Sequence, residues 1–306
     1  MSAGGGTKAI VAAFAANLAI AIAKFIGFLI TGSSSMLAES VHSLADTGNQ
    51  GLLLLGRKRA VRPPDDSHPF GYGRERFFWA FVVALVLFAL GSLFAVYEGI
   101  HKIEHPEEIT SAPVAIGLLI LALVLEGFSL RTAFGEAKHL RKNEGLFSFV
   151  RTAKNPELPV VLLEDIGAMA GLVIALGSLI LAWKVDPVFD GYGTLVIGGL
   201  LGVIAVLLAI EMKSLLIGEG ASKSDLADIT AAIDAHPMVR SIVHIRTEHV
   251  GPEEILVATK LAMVPGLELA QIAAAIDEIE VAVRGAVSAV HLIYIEPDLY
   301  RDPVTA

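Results

Sequence analysis

The chain contains no cysteine among its 306 residues. Disulfide bonds and thiolate metal sites are therefore excluded, and any metal must be bound by nitrogen and oxygen atoms. Only 18% of the residues are charged, and the formal net charge of -9 argues against a nucleic-acid partner, which would need a concentrated basic face. The motifs HExxH and GxSxG are also missing, so we do not expect an enzyme.

Hydrophobic residues are abundant instead, at 54% of the chain with a mean hydropathy of +0.66. This composition is too apolar for an ordinary soluble domain. Stretches of roughly 20 mostly apolar residues predict transmembrane helices that contact membrane lipid. There are six such stretches, at approximately 8–30, 36–56, 77–100, 112–135, 158–183 and 188–217. We predict an α-helical membrane protein with a six-helix transmembrane domain at residues 1–217.

The loops between the predicted helices differ in charge. Those after the second and fourth helices are rich in basic residues: Arg57, Lys58, Arg59, Arg62, Arg74, Arg76, Lys138, Arg141, Lys142, Arg151 and Lys154. The turn TGSSS after the first helix has no basic residue. Because short basic loops stay on the cytoplasmic side, we expect both termini to lie in the cytoplasm.

Residues 218–306 have the pattern of a small α+β domain. The segment SKSDLADITAAIDAHP predicts a helix with Ser222 or Ser224 as its N-cap. Two segments that alternate apolar and polar residues flank the turn signal Gly251-Pro252 and predict a β-hairpin. Another helix and a strand follow. This order predicts a cytoplasmic ferredoxin-like domain of two helices on a three-stranded sheet.

The second predicted span carries a polar stripe in the run SMLAESVHSLADTGNQ, formed by Glu39, His42, Asp46 and Asn49 on one side of the helix. Ionisable side chains at bilayer depth are costly and usually face the protein interior or bind an ion. An imidazole and a carboxylate four residues apart lie about one turn apart on the same face. His42 and Asp46 can therefore bind one cation together.

The fifth predicted span supplies two further carboxylates, Glu164 and Asp165. We predict one shared metal site with His42, Asp46 and Asp165 as ligands, completed by Glu164, by Asn49 or by water. Nitrogen and oxygen ligands in this number are typical of Zn²⁺. Adjacent residues point about 100° apart on a helix, so we favour Asp165 over Glu164. Ligand type alone leaves Fe²⁺, Mn²⁺, Co²⁺ and Cd²⁺ open.

Other ionisable groups in the predicted spans have two interpretations. Lys24 and Glu126 form either a structural ion pair or part of a proton-coupling system. Glu39 lies towards the exterior end of its helix, and we expect it to line the path to the metal site. A membrane hydrolase and a metal sensor without transport are the alternative functions. A sensor, however, needs no ligands at bilayer depth.

Several motifs together resemble the cation diffusion facilitator family of divalent metal/proton antiporters. They are SMLAESVHSLADTGNQ, HPFGYGRER, LLEDIGAMAGLVIALG, DPVFDGYGTLVIGG and GPEEILVATKLAM. Their variants are most similar to the branch of the mitochondrial-type zinc transporter and its bacterial relatives. The resemblance implies six transmembrane helices, a cytoplasmic domain that forms a homodimer, and zinc efflux from the cytoplasm in exchange for protons by alternating access. It also implies the plasma membrane of a bacterium.

The family's transport-site residues fall on His42, Asp46 and Asp165 of this chain. The usual histidine of the fifth span falls on Val161, which cannot bind metal. The resemblance therefore leaves the fourth ligand open, and Glu164 is the candidate to replace the missing histidine.

Two further metal sites of the family are only partly retained. The loop site keeps Asp65 and His68, but its third ligand falls on Tyr72, so we expect a weak site or none. Because both residues follow Pro63-Pro64, a role in a turn is the alternative. In the tail, metal-binding positions of some relatives fall on Val243, Lys260 and Tyr294 and leave only Glu296. We therefore expect no binuclear cytoplasmic site.

Overall fold

A computed structural model describes residues 3–109, 111–140, 145, 150 and 153–299. The chain forms two compact units. The first comprises Met1–Lys58 and Phe78–Lys213, and the second comprises Arg59–Phe77 and Ser214–Ala306. The loop Arg59–Phe77, which the sequence prediction places in the transmembrane domain, thus groups with the second unit. The later segment of the second unit begins at Ser214, whereas the sequence prediction places the domain boundary after residue 217.

The first unit is helical wherever the sequence predicts a span. Its helices are α1 (Ala3–Thr31), α2 (Ser34–Ala60), α3 (Glu75–Val86), α4 (Phe94–Glu104), α5 (Ala112–Leu140), α6 (Glu157–Lys184) and α7 (Val188–Ile217). The predicted third span consists of α3, a π-helical segment at Leu87–Leu93 and α4. These bounds agree closely with the apolar stretches, because composition and length determine where a spanning helix can form.

The outer surfaces of these helices are apolar. Leu29, Phe128 and Val203 are 65%, 66% and 60% exposed, which suits contact with lipid and is costly in water. In the part of the chain that the structure describes, four helical segments are long and apolar enough to cross a membrane: Glu75–Glu104, Ala112–Thr132, Glu157–Lys184 and Val188–Ile217. Helix α2 is less apolar because it carries the polar stripe.

A buried cluster of hydroxyl groups around Asp190, the serine cluster, determines where α2 begins. The Asp190 carboxylate accepts hydrogen bonds from Ser33 Oγ at 2.9 Å, from the Ser34 backbone N–H at 2.6 Å and from Ser35 Oγ at 2.6 Å. The first N–H groups of a helix have no partner within that helix. A side chain of α7 therefore caps α2, a role that the sequence gives no reason to assign to Asp190.

The second unit contains the predicted α+β fold. Helices α8 (Lys223–Asp234) and α9 (Leu269–Ala286) accompany three strands, β1 (Val239–Gly251), β2 (Glu254–Met263) and β3 (Val290–Leu299). The strand order is β1-β2-β3, with β1 antiparallel and β3 parallel to β2. Ser222 is the N-cap of α8, since its hydroxyl accepts the N–H of Asp225 at 3.1 Å. The predicted fold class, a helical membrane domain with an α+β domain, is confirmed.

The core of the second unit lies between the helices and one face of the sheet. Ile229 and Ile233 of α8 and Ile279 of α9 pack with Val257 and Leu261 of β2, and all are almost completely buried. The alternation that predicts the hairpin is the reason, because every second residue of β2 points towards the helices. The hairpin itself turns at Gly251, as predicted.

The loop before α3 packs against the turn of this hairpin. Arg74 donates a hydrogen bond to Glu248 of β1, and a Cβ atom at Gly73 would lie 2.7 Å from the carbonyl oxygen of Val250. Only glycine allows so close an approach of two backbone segments. The basic loop after α5 is described only in part, because Arg141, Lys142 and Arg151 lie outside the described residues.

Candidate metal centre

The polar stripe of α2 faces the interior of the first unit. Glu39, His42 and Asn49 are completely buried, and the side chain of Asp46 is 14% exposed. Burial of four polar or ionisable groups on one helix is unfavourable unless they find partners or a ligand. The helical periodicity seen in the sequence thus correctly identifies which side of α2 turns away from lipid.

His42 and Asp46 lie side by side without completing a hydrogen bond. Nδ1 of His42 is 3.6 Å from Oδ1 of Asp46. Within the described part of the chain, both ring nitrogens of His42 and Oδ1 of Asp46 have no hydrogen-bond partner. Buried polar atoms are rarely left unpaired in proteins. Unpaired nitrogen and oxygen atoms on two residues one helical turn apart fit a site that receives a cation.

The two adjacent carboxylates of α6 point to different helices. Glu164 Oε1 accepts a hydrogen bond from Asn49 Nδ2 of α2 at 2.7 Å, whereas Asp165 Oδ2 accepts one from Ser129 Oγ of α5 at 3.1 Å. This divergence is expected from their separation of about 100° around the helix. Of the two, Glu164 makes the direct contact with the polar stripe, although the sequence favours Asp165 as the ligand.

A narrow pocket, the acidic pocket, brings residues of α1, α2, α5 and α6 together. It is lined by Asn17, Ser43, Asp46, Gln50, Glu126, Val161, Glu164 and Asp165. It has room for about one water molecule. Val161 borders it, so the position where the family has a histidine does face the predicted site. His42 is not among the lining residues.

The predicted ligands are neighbours, but they do not yet surround one point. Among the described residues, no three histidine, aspartate or glutamate side chains converge closely enough to hold a metal ion. The hydrogen bonds to Asn49 and Ser129 turn Glu164 and Asp165 in different directions. The ligand set of His42, Asp46, Asp165 and Glu164 therefore stays a prediction.

The sequence analysis does not identify three uncharged polar residues that line the pocket, Asn17, Ser43 and Gln50, or Ser129, which donates a hydrogen bond to Asp165. A signal for two of them was present. Ser43 lies four residues after Glu39, and Gln50 lies four residues after Asp46, so both extend the polar stripe of α2. For Asn17 and Ser129, which lie on other helices, periodicity within α2 carries no information.

Lys24 of α1 lies beside the stripe and is 1% exposed. Its ammonium group is 3.2 Å from Glu39 Oε2, 2.7 Å from Ser43 Oγ and 4.0 Å from Glu126 Oε1. The predicted Lys24–Glu126 ion pair is thus the longer of two, and Glu39 is the nearer carboxylate. Glu39, expected to line the path to the site, also lies against α6, where a Cβ atom at Gly171 would collide with its Oε1.

Asp65 and His68 form a turn in the loop before α3. Asp65 Oδ1 accepts the backbone N–H groups of Ser67 and His68 at 3.0 and 2.8 Å, and Oδ2 accepts the Tyr72 hydroxyl at 2.6 Å. The hydrogen bond from Tyr72, followed by that from His68, lowers the pKa of Asp65. These contacts give both carboxylate oxygens a role in the turn, which is the alternative that the sequence allows.

In the second unit, Lys260 of β2 lies beside two carboxylates of β3. The Lys260 ammonium group is 2.8 Å from Glu296 Oε1 and 3.4 Å from Asp298 Oδ2. The hydrogen bonds to Glu296 and Asp298 raise the pKa of Lys260. Val243 and Tyr294, the other positions expected to lack metal ligands, are 53% and 54% exposed on β1 and β3.

Comparison with known proteins agrees with this architecture. Residues 10–217 match the model of the cation efflux transmembrane domain. The mitochondrial proton-coupled zinc antiporter SLC30A9 of Mus musculus is 32% identical over 250 residues, 81% of this chain and 44% of that protein. Metal tolerance protein C4 of Arabidopsis thaliana is 32% identical over 251 residues, 80% of this chain and 54% of that protein. The chain thus spans about half the length of these two relatives.

Two further comparisons cover different shares of the chain. The cation-efflux pump FieF of Klebsiella pneumoniae is 26% identical over 286 residues, 90% of this chain and 87% of that protein. A nickel form of a MamM CTD variant covers 26% of this chain and 100% of that chain, with 19% identity and a TM-score of 0.25. The family is one of cation transporters, not enzymes. The chain belongs to the cation efflux, or cation diffusion facilitator, family and is similar to its mitochondrial-type branch.

Proposed function

We propose that this protein exports a divalent metal cation from the cytoplasm in exchange for protons, with zinc as its preferred substrate. The observation that carries the proposal is the buried acidic pocket between α1, α2, α5 and α6, beside a histidine whose two ring nitrogens are unpaired. The printed names of the relatives, a proton-coupled zinc antiporter, a metal tolerance protein and a cation-efflux pump, support the same activity.

The proposed ligands are His42, Asp46 and Asp165. Glu164 is the proposed fourth ligand, because Val161 occupies the position where the family usually has a histidine. The ring of His42 supplies nitrogen and the carboxylates supply oxygen, a set that suits Zn²⁺ better than Mg²⁺ or Ca²⁺. Loss of the hydrogen bonds from Asn49 and Ser129 would free Glu164 and Asp165 to turn towards a cation. Asn49 can then serve as an additional ligand or hold Glu164 in position.

Exchange for protons follows from the chemistry of these ligands. Histidine binds metal only when it is neutral, and aspartate and glutamate bind only when they are ionised. Protons and the metal therefore compete for the same atoms. An unperturbed imidazole titrates at about pH 6.5, so a modest pH difference across a membrane can exchange one for the other. Binding at one side and protonation at the other drive alternating access.

The proposal includes a location and an assembly. The basic loops after the second and fourth spans favour cytoplasmic termini, and the similarity to a bacterial pump supports a bacterial plasma membrane. We further propose that the second unit forms a homodimer, with the exposed Tyr294 on its sheet as one contact. Light scattering of the purified protein in detergent tests this, and a monomer at micromolar concentration contradicts it.

The function is tested by metal flux into liposomes that contain the purified protein, measured metal by metal with and without a pH gradient. Zinc flux should depend on the gradient and fall at least 100-fold in Asp165→Ala and in His42→Ala. Asp228→Ala, which removes an exposed carboxylate from α8, is the matched control and should transport normally. Normal flux in both site variants would refute the assignment, and binding without flux would favour a sensor.

A further inference from the structure

The ammonium group of Lys24 lies behind the acidic pocket: it contacts residues that line the pocket but does not line it itself. It donates to Ser43 Oγ at 2.7 Å and is 4.0 Å from Glu126 Oε1. Both of these residues line the pocket. A single side chain, that of Ser43 or that of Glu126, therefore separates the ammonium group of Lys24 from the space that would hold a cation.

The charges around the pocket are strongly one-sided. Its lining contains four carboxyl groups, those of Asp46, Glu126, Glu164 and Asp165, and no basic side chain. Such a set attracts a divalent cation strongly, because electrostatic interactions are much stronger inside a protein than in water. A site that only attracts is a poor transport site, since the cation must also leave. A fixed positive charge close behind the lining reduces the attraction.

The position of Lys24 is held by its contacts to α2. Glu39 Oε2 at 3.2 Å and Ser43 Oγ at 2.7 Å lie on one face of that helix, one turn apart. With 1% exposure, Lys24 cannot turn its ammonium group to water, as a surface lysine would. Neither Lys24 nor its partner Glu39 lines the pocket. Lys24 contacts two residues that do, Ser43 and Glu126, so the positive charge of the pair lies against the pocket wall.

We propose that Lys24 is a positioning residue whose fixed charge limits how tightly the acidic pocket holds its divalent cation, so that the cation can be released. Glu39 opposes this effect. The inference rests on the proposed function, because it assumes that the cation binds in this pocket. It predicts that removal of Lys24 strengthens metal binding, whereas the loss of a merely structural lysine would weaken it.

The test compares charge variants of the full-length protein in detergent, with zinc binding measured by titration calorimetry. Lys24→Met should lower the Kd for Zn²⁺ about tenfold, and Glu39→Gln should raise it by a similar factor. The double variant Lys24→Met/Glu39→Gln removes one charge of each sign and should bind within about threefold of the wild type. Lys24→Arg keeps the positive charge and should also bind Zn²⁺ within about threefold of the wild type.

Flux measurements in liposomes provide the second readout. In Lys24→Met, the zinc concentration at half-maximal flux should fall and the maximal rate should fall as well, because release becomes slower. Lys184→Met is the matched control: it also removes one positive charge from the first unit, but from the end of α6 beside Trp183. This variant should leave both values unchanged.

The inference depends on whether Lys24→Met lowers or raises the Kd for Zn²⁺. If Lys24→Met keeps its melting temperature within a few degrees but binds zinc no more tightly than the wild type, the inference is wrong while the proposed function stands. If Lys24→Met fails to fold, the other two variants decide. Glu39→Gln must bind zinc more weakly than the wild type, and the double variant must bind it about as tightly as the wild type. Any other ranking of the Kd values overturns the inference. Wild-type protein that binds no zinc would overturn the proposed function and this inference together.

Discussion

Substitution of Asp190 should destabilise the first unit more than a typical buried polar substitution. Its carboxylate accepts hydrogen bonds from Ser33 Oγ at 2.9 Å, from Ser34 N and Oγ at 2.6 and 2.9 Å, and from Ser35 Oγ at 2.6 Å. After Asp190→Ala, the hydroxyls of Ser34 and Ser35 can still pair with Thr194 Oγ1, at 3.1 and 3.2 Å. The hydroxyl of Ser33 and the backbone N–H groups of Ser34 and Ser35, the last at 3.4 Å, lose the carboxylate acceptor.

The magnitude follows from these losses. An unsatisfied buried donor costs about 1–3 kcal/mol, and hydrogen bonds to a charged acceptor contribute about 1.5–3 kcal/mol each. Three orphaned donors, one of them only weakly bonded at 3.4 Å, and two weakened bonds together predict a loss of about 3–5 kcal/mol in the free energy of unfolding. The free energy of unfolding of Asp190→Asn should lie between those of Asp190→Ala and the wild type. Its amide group retains one acceptor oxygen but turns its NH₂ donor towards the donors of the serines.

Equilibrium unfolding in mixed detergent micelles, followed by the fluorescence of Trp79 and Trp183, measures this difference. Ser178→Ala is the matched control. It removes one neutral hydroxyl from the same cluster, 3.3 Å from Ser35 Oγ, and should cost about 1 kcal/mol. If Asp190→Ala also costs no more than about 1 kcal/mol, Asp190 does not cap α2 and the reasoning is refuted.

Three further predictions concern the metal site and the loop. Val161→His adds a ring nitrogen to the acidic pocket and should lower the Kd for Zn²⁺ at least tenfold in calorimetry; Val161→Leu, the apolar control, should not. His42→Asp exchanges nitrogen for oxygen and should shift preference towards Mn²⁺ in a competition flux assay; an unchanged metal profile would contradict His42 as a ligand. Tyr72→Phe removes the hydrogen bond that most lowers the pKa of Asp65, so this pKa should rise towards the ordinary value of about 4 in an NMR titration. The lowered pKa stabilises the loop at pH values above the ordinary pKa, and this effect disappears as the pH falls through the folded-state pKa. Tyr72→Phe should therefore lose stability at neutral pH, and the difference from the wild type should shrink as the pH falls. A pKa unchanged in Tyr72→Phe would show that the backbone N–H groups alone are responsible.

Local patterns in the sequence determine much of this protein. Six long apolar stretches predict where the helices of the first unit form, because a segment without polar groups can satisfy its backbone in lipid only as a helix. The 3.6-residue period places Glu39, His42, Asp46 and Asn49 on one face of α2, and that face is buried. Alternation and turn residues predict the hairpin at Gly251 and the order of elements in the second unit.

The partners of these groups depend on how helices pack, which local patterns do not contain. Lys24 has acidic neighbours on two different helices, and only the packing shows that Glu39 is nearer than Glu126. Likewise, Glu164 and Asp165 are adjacent in sequence, but the rotation of α6 sends one towards α2 and the other towards α5.

The sequence by itself determined the class of the protein and the buried face of α2, and it predicted nitrogen and oxygen ligands for the proposed metal site. These properties follow from composition and from the period of a single helix. Only the tertiary structure decided that Asp190 caps α2, that Lys24 lies behind the acidic pocket and that Val161 borders it. Each of these contacts joins residues on different helices, and the rotation and depth at which helices meet depend on the packing of all of them together.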